Sequence, residues 1–413
     1  MEVPGPPWMA IGGAAPPADR LARLARAARD ELHRIIPFWL GLRDPGGGGF
    51  AGEADSSGQP LWGADKGAVL QTRILWFFSK AYLELADPAL LDAAWWAYRF
   101  IAARLVDPDH EGVFWAATAQ GAPAKTRKHL YAQAFAIYAL AAFHQASGDP
   151  GALGLAQQLW STVERKAADP DHPGYLEAFS PDWHARPNHL MGRPVAPKSL
   201  NAHFHLLEAY DSLLQVWPDP RLRRGTEALL TLLTGPMLDR GRNTFRQFFE
   251  ADWRGLDDGG FYGHDIEASW LVPAVADRLS PSIAAAAGVA VSGVARAVLD
   301  RALESPDGGL SAGFDTFGRF DHGRIWWVQA EALVGFIDGF ERQGDGRFLD
   351  AAERLWGFID RSLIDRADGE WRWRIDPGGE EPAAMPKANL WKCPYHNGRA
   401  LLEVLERAKR LSG

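Results

Sequence analysis

Gly112-Val113-Phe114 opens a stretch that runs through Tyr131-Ala132-Gln133-Ala134-Phe135-Ala136-Ile137-Tyr138. It breaks at Gly148-Asp149-Pro150 and reaches a second turn of the same kind at Gly174-Tyr175. The order is a polar turn, a large apolar residue, a helix apolar on more than one face, a capped break and an amphipathic helix. The same grammar recurs at Gly49-Phe50, Thr244-Phe245, Gly309-Leu310 and Glu370-Trp371. The apolar positions 50, 114, 175, 245, 310 and 371 are 64, 61, 70, 65 and 61 residues apart. Units of this length cannot bury a core alone and must stack on their neighbours.

The strongly apolar helices are expected over 71–85, 131–146, 200–216, 264–279, 326–343 and 395–411. A helix apolar nearly all round is buried on all sides. The amphipathic partners read over 89–105, 151–168, 221–237 and 347–363, with 19–38 supplying another. Breaks such as Ala86-Asp87-Pro88, Pro218-Asp219-Pro220 and Gly344-Asp345-Gly346 carry turn and capping residues. The expected fold is all-α, an (α/α)6 barrel of six helix-pair repeats, with short hairpins at the active-site rim. One catalytic domain spans 19–413, preceded by a flexible tail over 1–18 that lacks the charged and apolar regions of a signal peptide. Inner helices that alternate with outer ones run parallel, so their N-termini share one rim, where dipoles and free N–H groups favour developing negative charge.

Bulk composition narrows the chemistry. A net charge of −8 with no long basic run argues against nucleic acid. The single cysteine, Cys393, excludes an internal disulfide and suits a reducing, cytoplasmic setting. The most apolar stretch, around Ile283–Val298, is interrupted by Gly288, Ser292, Gly293 and Arg296, and reads as a buried helix rather than a membrane span. Eighteen Trp residues exceed ordinary usage, which suits stacking on sugar rings as well as filling a core.

Two histidine motifs fall at equivalent repeat positions. In Tyr262-Gly263-His264-Asp265-Ile266-Glu267 the imidazole sits in the first helical turn, with Glu267 on the same face to orient it. In Trp391-Lys392-Cys393-Pro394-Tyr395-His396, Pro394 suits the first helical position and puts His396 in the first turn. Two neutral imidazoles facing across a pocket, titrating near working pH, suit moving a proton off one face of a carbon and onto the other. In Asn201-Ala202-His203-Phe204-His205, residues 201 and 205 share a face toward the pocket and His203 is structural. Arg73 suits a carbonyl or enediolate oxygen, Tyr131 a hydroxyl, and Trp327 and Trp391 a sugar face.

Other chemistries are less well served. His264-x-x-Glu267 is half a metal site without clear further ligands, so no metal or cofactor is expected. Cys393 lacks a dedicated base. The Gly46–Gly49 run lacks the Lys-Ser/Thr of a phosphate loop. An inverting glycosidase needs two flanking carboxylates, and Glu177, Asp182, Asp252, Glu267 and Glu331 keep that alternative open.

Arg73-Ile74-Leu75-Trp76, Tyr131–Tyr138, Glu177-Ala178-Phe179-Ser180, Asn201-x-His203-x-His205, Gly263–Trp270, Trp326–Ala332 and Trp391–Arg399 together resemble the N-acylglucosamine 2-epimerase superfamily, and within it the cellobiose 2-epimerases. The resemblance implies cofactor-free epimerisation at C2 of a reducing-end aldose through a cis-enediolate. His264 and His396 would be the acid/base pair, with His396 taking the C2 proton, His264 serving ring opening and the second transfer, and Glu267 orienting His264. Arg73, Tyr131, Asn201, His205, Trp327, Glu331 and Trp391 would bind the sugar. An aldose–ketose isomerase or an N-acylglucosamine 2-epimerase is the alternative within the resemblance. The expected partner is a small sugar, with no nucleic acid or membrane, in a monomer or weak homodimer. The loop His184–Pro197 departs from the acidic, Lys/Asp/Asn-rich rim expected of cellobiose epimerases, which opens the choice between mono- and disaccharide.

Overall fold

Each capped break starts a helix where the chain chemistry requires it. Asp87, Asp149 and Asp219 accept hydrogen bonds from N–H groups in the first turn, and Pro88, Pro150 and Pro220 follow at the position whose N–H needs no partner. Gly148 and Gly344 close the preceding helices in the left-handed conformation, at φ of 72° and 66°. The structure, a computed structural model, describes residues 16–189, 195–315, 317–382 and 385–412. Residues 1–15 of the expected tail and 190–194 of the divergent loop lie outside the described residues.

Twelve helices are present among the described residues. They are α1 (Pro17–Gly41), α2 (Ala68–Leu85), α3 (Pro88–Phe100), α4 (Leu130–Ser147), α5 (Pro150–Lys166), α6 (Leu200–Val216), α7 (Pro220–Thr234), α8 (Tyr262–Ala276), α9 (Pro281–Leu303), α10 (Trp326–Gln343), α11 (Gly346–Phe358) and α12 (His396–Ser412). α4 buries nearly every side chain from Leu130 to Phe143, whereas α5 buries one face through Ala152, Ala156, Leu159, Trp160 and Val163. Burying each large apolar side chain contributes about 1.5–3 kcal/mol, so the helices apolar all round are drawn to the centre. α2, α4, α6, α8, α10 and α12 pack each on the next, and α12 returns to α2. α3, α5, α7, α9 and α11 pack on the helix before them, and α1 covers α12.

Short strands stitch the rim. Lys66–Gly67 pairs with Ala116–Ala117, Lys128–His129 with Ala178–Phe179, Lys198–Ser199 with Phe248–Phe249, and Arg324–Ile325 with Arg374–Ile375. Bridges Phe261 to Gly313 and Ala54 to Ala388 complete the circuit. Each strand that leads into an inner helix therefore pairs with the following unit. The expected hairpins exist, as at Leu238–Asp239 with Thr244–Phe245, but the strand pieces also join neighbours. Behind the strands lie buried ion pairs Lys66–Asp44, Lys128–Asp107, Lys198–Asp169 and Lys387–Asp365, and at the equivalent place Arg324 pairs with the exposed Asp307. The inner helices brace the turns as well. Gln71, Gln133 and Gln329 make paired side-chain bonds to the backbones of Phe50, Val113 and Leu310.

Three expectations need correction. α12 begins at His396, so Pro394 precedes the helix instead of opening it. α8 ends at Ala276 rather than continuing to 279, with Pro273 in its last turn. The segment around Ile283–Val298 is not buried all round: α9 is long and apolar enough to cross a membrane, yet only 33% of its most apolar window is buried. It packs chiefly on α8 and buries residues such as Val291, Val294 and Leu299, while Val289 faces outward. Its small residues suit an outer helix lying close against its neighbours.

Candidate active site

The inner helix starts surround one cavity of about 950 Å³. Arg73, Tyr131, Asn201, His205, His264, Glu267, Trp327, Trp391 and His396 all line it. Nine of the ten expected site residues are thus brought together from α2, α4, α6, α8, α10, α12 and the loop before α12. The tenth, Glu331, is not on the wall. It is fully buried behind His396, where its Oε1 lies 2.7 Å from His396 Nδ1. Its expected place among the sugar ligands is replaced by contact with an imidazole, because one helical turn from Trp327 carries it past the cavity floor.

Trp327 packs against both histidines. Its ring centroid is 5.1 Å from that of His264 and 5.3 Å from that of His396. Gly263 makes this packing possible, since a Cβ there would lie 2.5 Å from the indole edge. Each imidazole is tethered through Nδ1: His396 to Glu331, and His264 to Gln247 Oε1 at 2.5 Å. Glu267, expected to orient His264, does not hydrogen-bond it. Its carboxylate turns instead to the guanidinium of Arg399, which comes from α12.

Arg399 organises the floor. It pairs with Glu208 at 2.5 Å, with Glu331 at 2.7 Å and with Glu267. Glu208 also holds His205 Nδ1 at 3.1 Å and accepts from the Tyr395 hydroxyl. Three carboxylates against one guanidinium cannot all ionise at low cost in a buried site. Burial raises Glu208, but Arg399 and His205 outweigh it and hold that carboxyl down to about 2. Burial, then the Glu331 charge, raises Glu267 well above the usual range. Burial likewise pushes Glu331 up to about 7, against the pull of Arg399. The Glu267–Glu331 pair therefore retains a proton near neutrality.

The imidazoles are displaced the other way. Burial, aided by His205, lowers His264 to about 3. Burial, then Arg73 and Arg399, holds His396 well below its ordinary value. Burial lowers His205 to about 4 despite Glu208. The expected titration near working pH is corrected: burial disfavours the charged form of all three rings. Arg73 has no carboxylate partner among the described residues. It donates to the Tyr131 hydroxyl at 2.6 Å and lies over Phe135 and Tyr395 at 4.1 and 4.7 Å. A buried cation held by aromatic faces keeps its charge available for a ligand oxygen.

His203 is structural, as expected. Its Nδ1 contacts the Ser199 carbonyl at 2.9 Å and its Nε2 accepts from Tyr175 N–H. Cys393 is buried, and burial raises its thiol pKa, which disfavours the nucleophilic thiolate. Glu267, Glu331 and His396 come close enough to suit a metal ion. Arg399 already delivers positive charge to both carboxylates.

Sequence reading missed Gln247, Glu208 and Arg399. Glu208 was within reach, since it follows His205 by three residues as Glu267 follows His264. Gln247 carries no such signal.

The geometry agrees with what the chain resembles. The family model for N-acylglucosamine 2-epimerase matches residues 48–400. A cellobiose 2-epimerase of Ruminococcus albus is 38% identical over 384 residues, covering 92% of this chain and 97% of that protein. The structure of a cellobiose 2-epimerase from Bacillus thermoamylovorans superposes with a TM-score of 0.89 at 34% identity, covering 94% of this chain and all of that one. A D-mannose isomerase of Thermobifida fusca is 26% identical over 414 residues, covering 93% and 95% of the two chains. These matches define an isomerase of the carbohydrate-epimerase class. The chain belongs to the N-acylglucosamine 2-epimerase family.

Proposed function

We propose that this enzyme, on an (α/α)6 barrel, epimerises a reducing-end aldose at C2, with cellobiose or a similar β-linked disaccharide as substrate. The observation that carries the reading is the pair of Nδ1-tethered imidazoles that both pack on Trp327 and line one cavity, beside an Arg73 guanidinium without a carboxylate partner among the described residues. Once the sugar ring opens, His396 Nε2 takes the C2 proton. The C–H electron pair forms the C1–C2 double bond, and charge moves to O1, where Arg73 donates hydrogen bonds. Rotation about the C2–C3 bond presents the opposite face; His264, which takes up a solvent proton at Nε2 as negative charge develops on the sugar, delivers it to C2, and His396 releases the abstracted proton to solvent. The carboxylate behind His396 stabilises the imidazolium that forms when it takes a proton, which supports giving it the abstraction step.

A cavity of about 950 Å³ is at the upper end of small-molecule sites and suits two sugar rings. The 38% identity with a cellobiose 2-epimerase, against 26% with a mannose isomerase, supports the same choice. Incubation with cellobiose, glucose and mannose in deuterated water tests it. The expected result is deuterium at C2 with formation of the 2-epimer, fastest on the disaccharide. Absence of exchange on every aldose would overturn the reading. A ketose product would instead favour reprotonation at C1, the aldose–ketose isomerase reaction.

A further inference from the structure

We propose that Gln247 is a positioning residue for the acid–base chemistry, one that fixes His264 in the tautomer with a free Nε2 lone pair. The inference rests on the proposed epimerase reading for its catalytic consequence. Its structural content stands on the hydrogen bonds alone.

The Gln247 amide has its orientation set from outside the site. Its Nε2 donates to the Phe245 carbonyl at 2.9 Å, and a carbonyl can only accept. The amide oxygen is therefore the atom 2.5 Å from His264 Nδ1. An amide oxygen can only accept, so Nδ1 carries the proton and Nε2 is left unprotonated. The backbone around Gln247 is fixed as well. Its N–H donates to Asp257, and its carbonyl accepts from Leu200 N–H at the start of α6. Phe261 and Trp327 hold the imidazole plane, with centroids 4.9 and 5.1 Å away.

The two proposed acid–base groups are thereby made unequal. His396 is backed by a carboxylate and His264 by a neutral amide. A carboxylate behind an imidazole raises its basicity, whereas an amide fixes the tautomer without adding charge. The other titratable groups around His264 are His205 and His396 toward the cavity, Asp257 behind Gln247, and Asp265, whose carboxylate is committed to Thr244 and the Phe245 N–H. Among the described residues none of them hydrogen-bonds His264 Nδ1. The amide is thus the device by which the fold sets one histidine to give up a proton more readily than the other.

Two variants test this. Gln247→Leu keeps the size but removes the acceptor, and kcat for C2 exchange is expected to fall about 100-fold with KM changed less than about threefold. Gln247→Glu keeps the acceptor and adds charge. It is expected to recover at least about tenfold over the Leu variant, and to move the acidic limb of the kcat/KM profile upward by about one pH unit or more. Nitrogen-15 spectra of the histidines provide a readout independent of activity. The wild type is expected to show a protonated Nδ1 and bare Nε2 at His264, and Gln247→Leu a mixture of tautomers. An unmixed tautomer in the Leu variant, or equal kcat in all three proteins, would overturn the proposal. A wild type that exchanges no aldose while the tautomer still depends on Gln247 would overturn the epimerase reading and leave the positioning role standing.

Discussion

His396 Nδ1 lies 2.7 Å from Glu331 Oε1, and the same carboxylate lies 2.7 Å from Arg399. One buried acid therefore serves both an imidazole on the cavity wall and the guanidinium that holds the floor together. Replacing it by its isostere separates these duties. Glu331→Gln is expected to lower kcat by about 100-fold or more with little effect on KM, because His396 loses its anionic partner. Arg399 keeps Glu208 and Glu267, and the variant has one carboxylate fewer to crowd. Its melting temperature is expected to match or exceed the wild type, and calorimetry with steady-state kinetics checks both halves.

Arg73 offers a clean separation of stability from activity. Its guanidinium is buried without a carboxylate partner among the described residues. Arg73→Met should abolish most of kcat/KM, by about 1000-fold, as a preorganised donor to O1 is lost. Thermal stability should not fall, since the variant removes the desolvation cost of an uncompensated cation. A melting temperature several degrees lower in Arg73→Met would show that the arginine is structural.

Asp265 gives a pH dependence with a definite sign. Burial raises its carboxyl from 3.8 to about 7, even though Thr244 and the Phe245 N–H donate to it. The folded protein thus holds a proton that the unfolded chain releases between about pH 4 and 7. This contribution to stability is full below about pH 4 and is lost as pH rises through 7. Asp265→Asn keeps the acceptor for the Phe245 N–H and reverses the Thr244 bond, its amide donating to the hydroxyl, without titrating. Relative to wild type it should gain stability between pH 5 and pH 8, by about 1–4 kcal/mol. Urea denaturation of both proteins at the two pH values measures the difference, and an unchanged difference would disprove it.

Gly263 tests the spacing of the two imidazoles. A methyl group there meets Trp327 at 2.5 and 2.7 Å and Val328 at 2.8 Å. Gly263→Ala is expected to cost about 1–3 kcal/mol through overpacking. Because the displaced indole packs against both His264 and His396, kcat should fall by at least about tenfold as well. A Trp327 fluorescence shift alongside the kinetic loss would tie the two effects together, and a stable variant with full activity would contradict the packing argument.

The buried pairs behind the rim have a structural duty. Lys128 is fully buried against Asp107, which also caps its own turn through the N–H groups of Asp109 and His110. Lys128→Met leaves that carboxylate uncompensated and is expected to cost about 3–5 kcal/mol. The double variant Lys128→Met, Asp107→Asn should recover a large part of the loss, as measured by denaturant midpoints.

The repeat and the helix starts were legible in the chain itself. A turn before a large apolar residue, then a helix apolar all round, dictates an inner helix whatever surrounds it, because burial follows from local composition. That was enough to put His264 and His396 in first turns at equivalent repeat positions, and to gather nine side chains at one cavity. Partnership was not legible. Glu267 follows His264 by three residues on one helix, yet it pairs with Arg399 from α12, while Glu331 from α10 reaches His396. Gln247 reaches His264 from the link between the strands Thr244–Phe245 and Phe248–Phe249. Which side chain meets which across the cavity depends on helix rotation and on the return of α12 to α2, and these are set by packing of all the helices together. The sequence by itself determined where the imidazoles sit; the tertiary structure decided what stands behind each one, and so how basic it is.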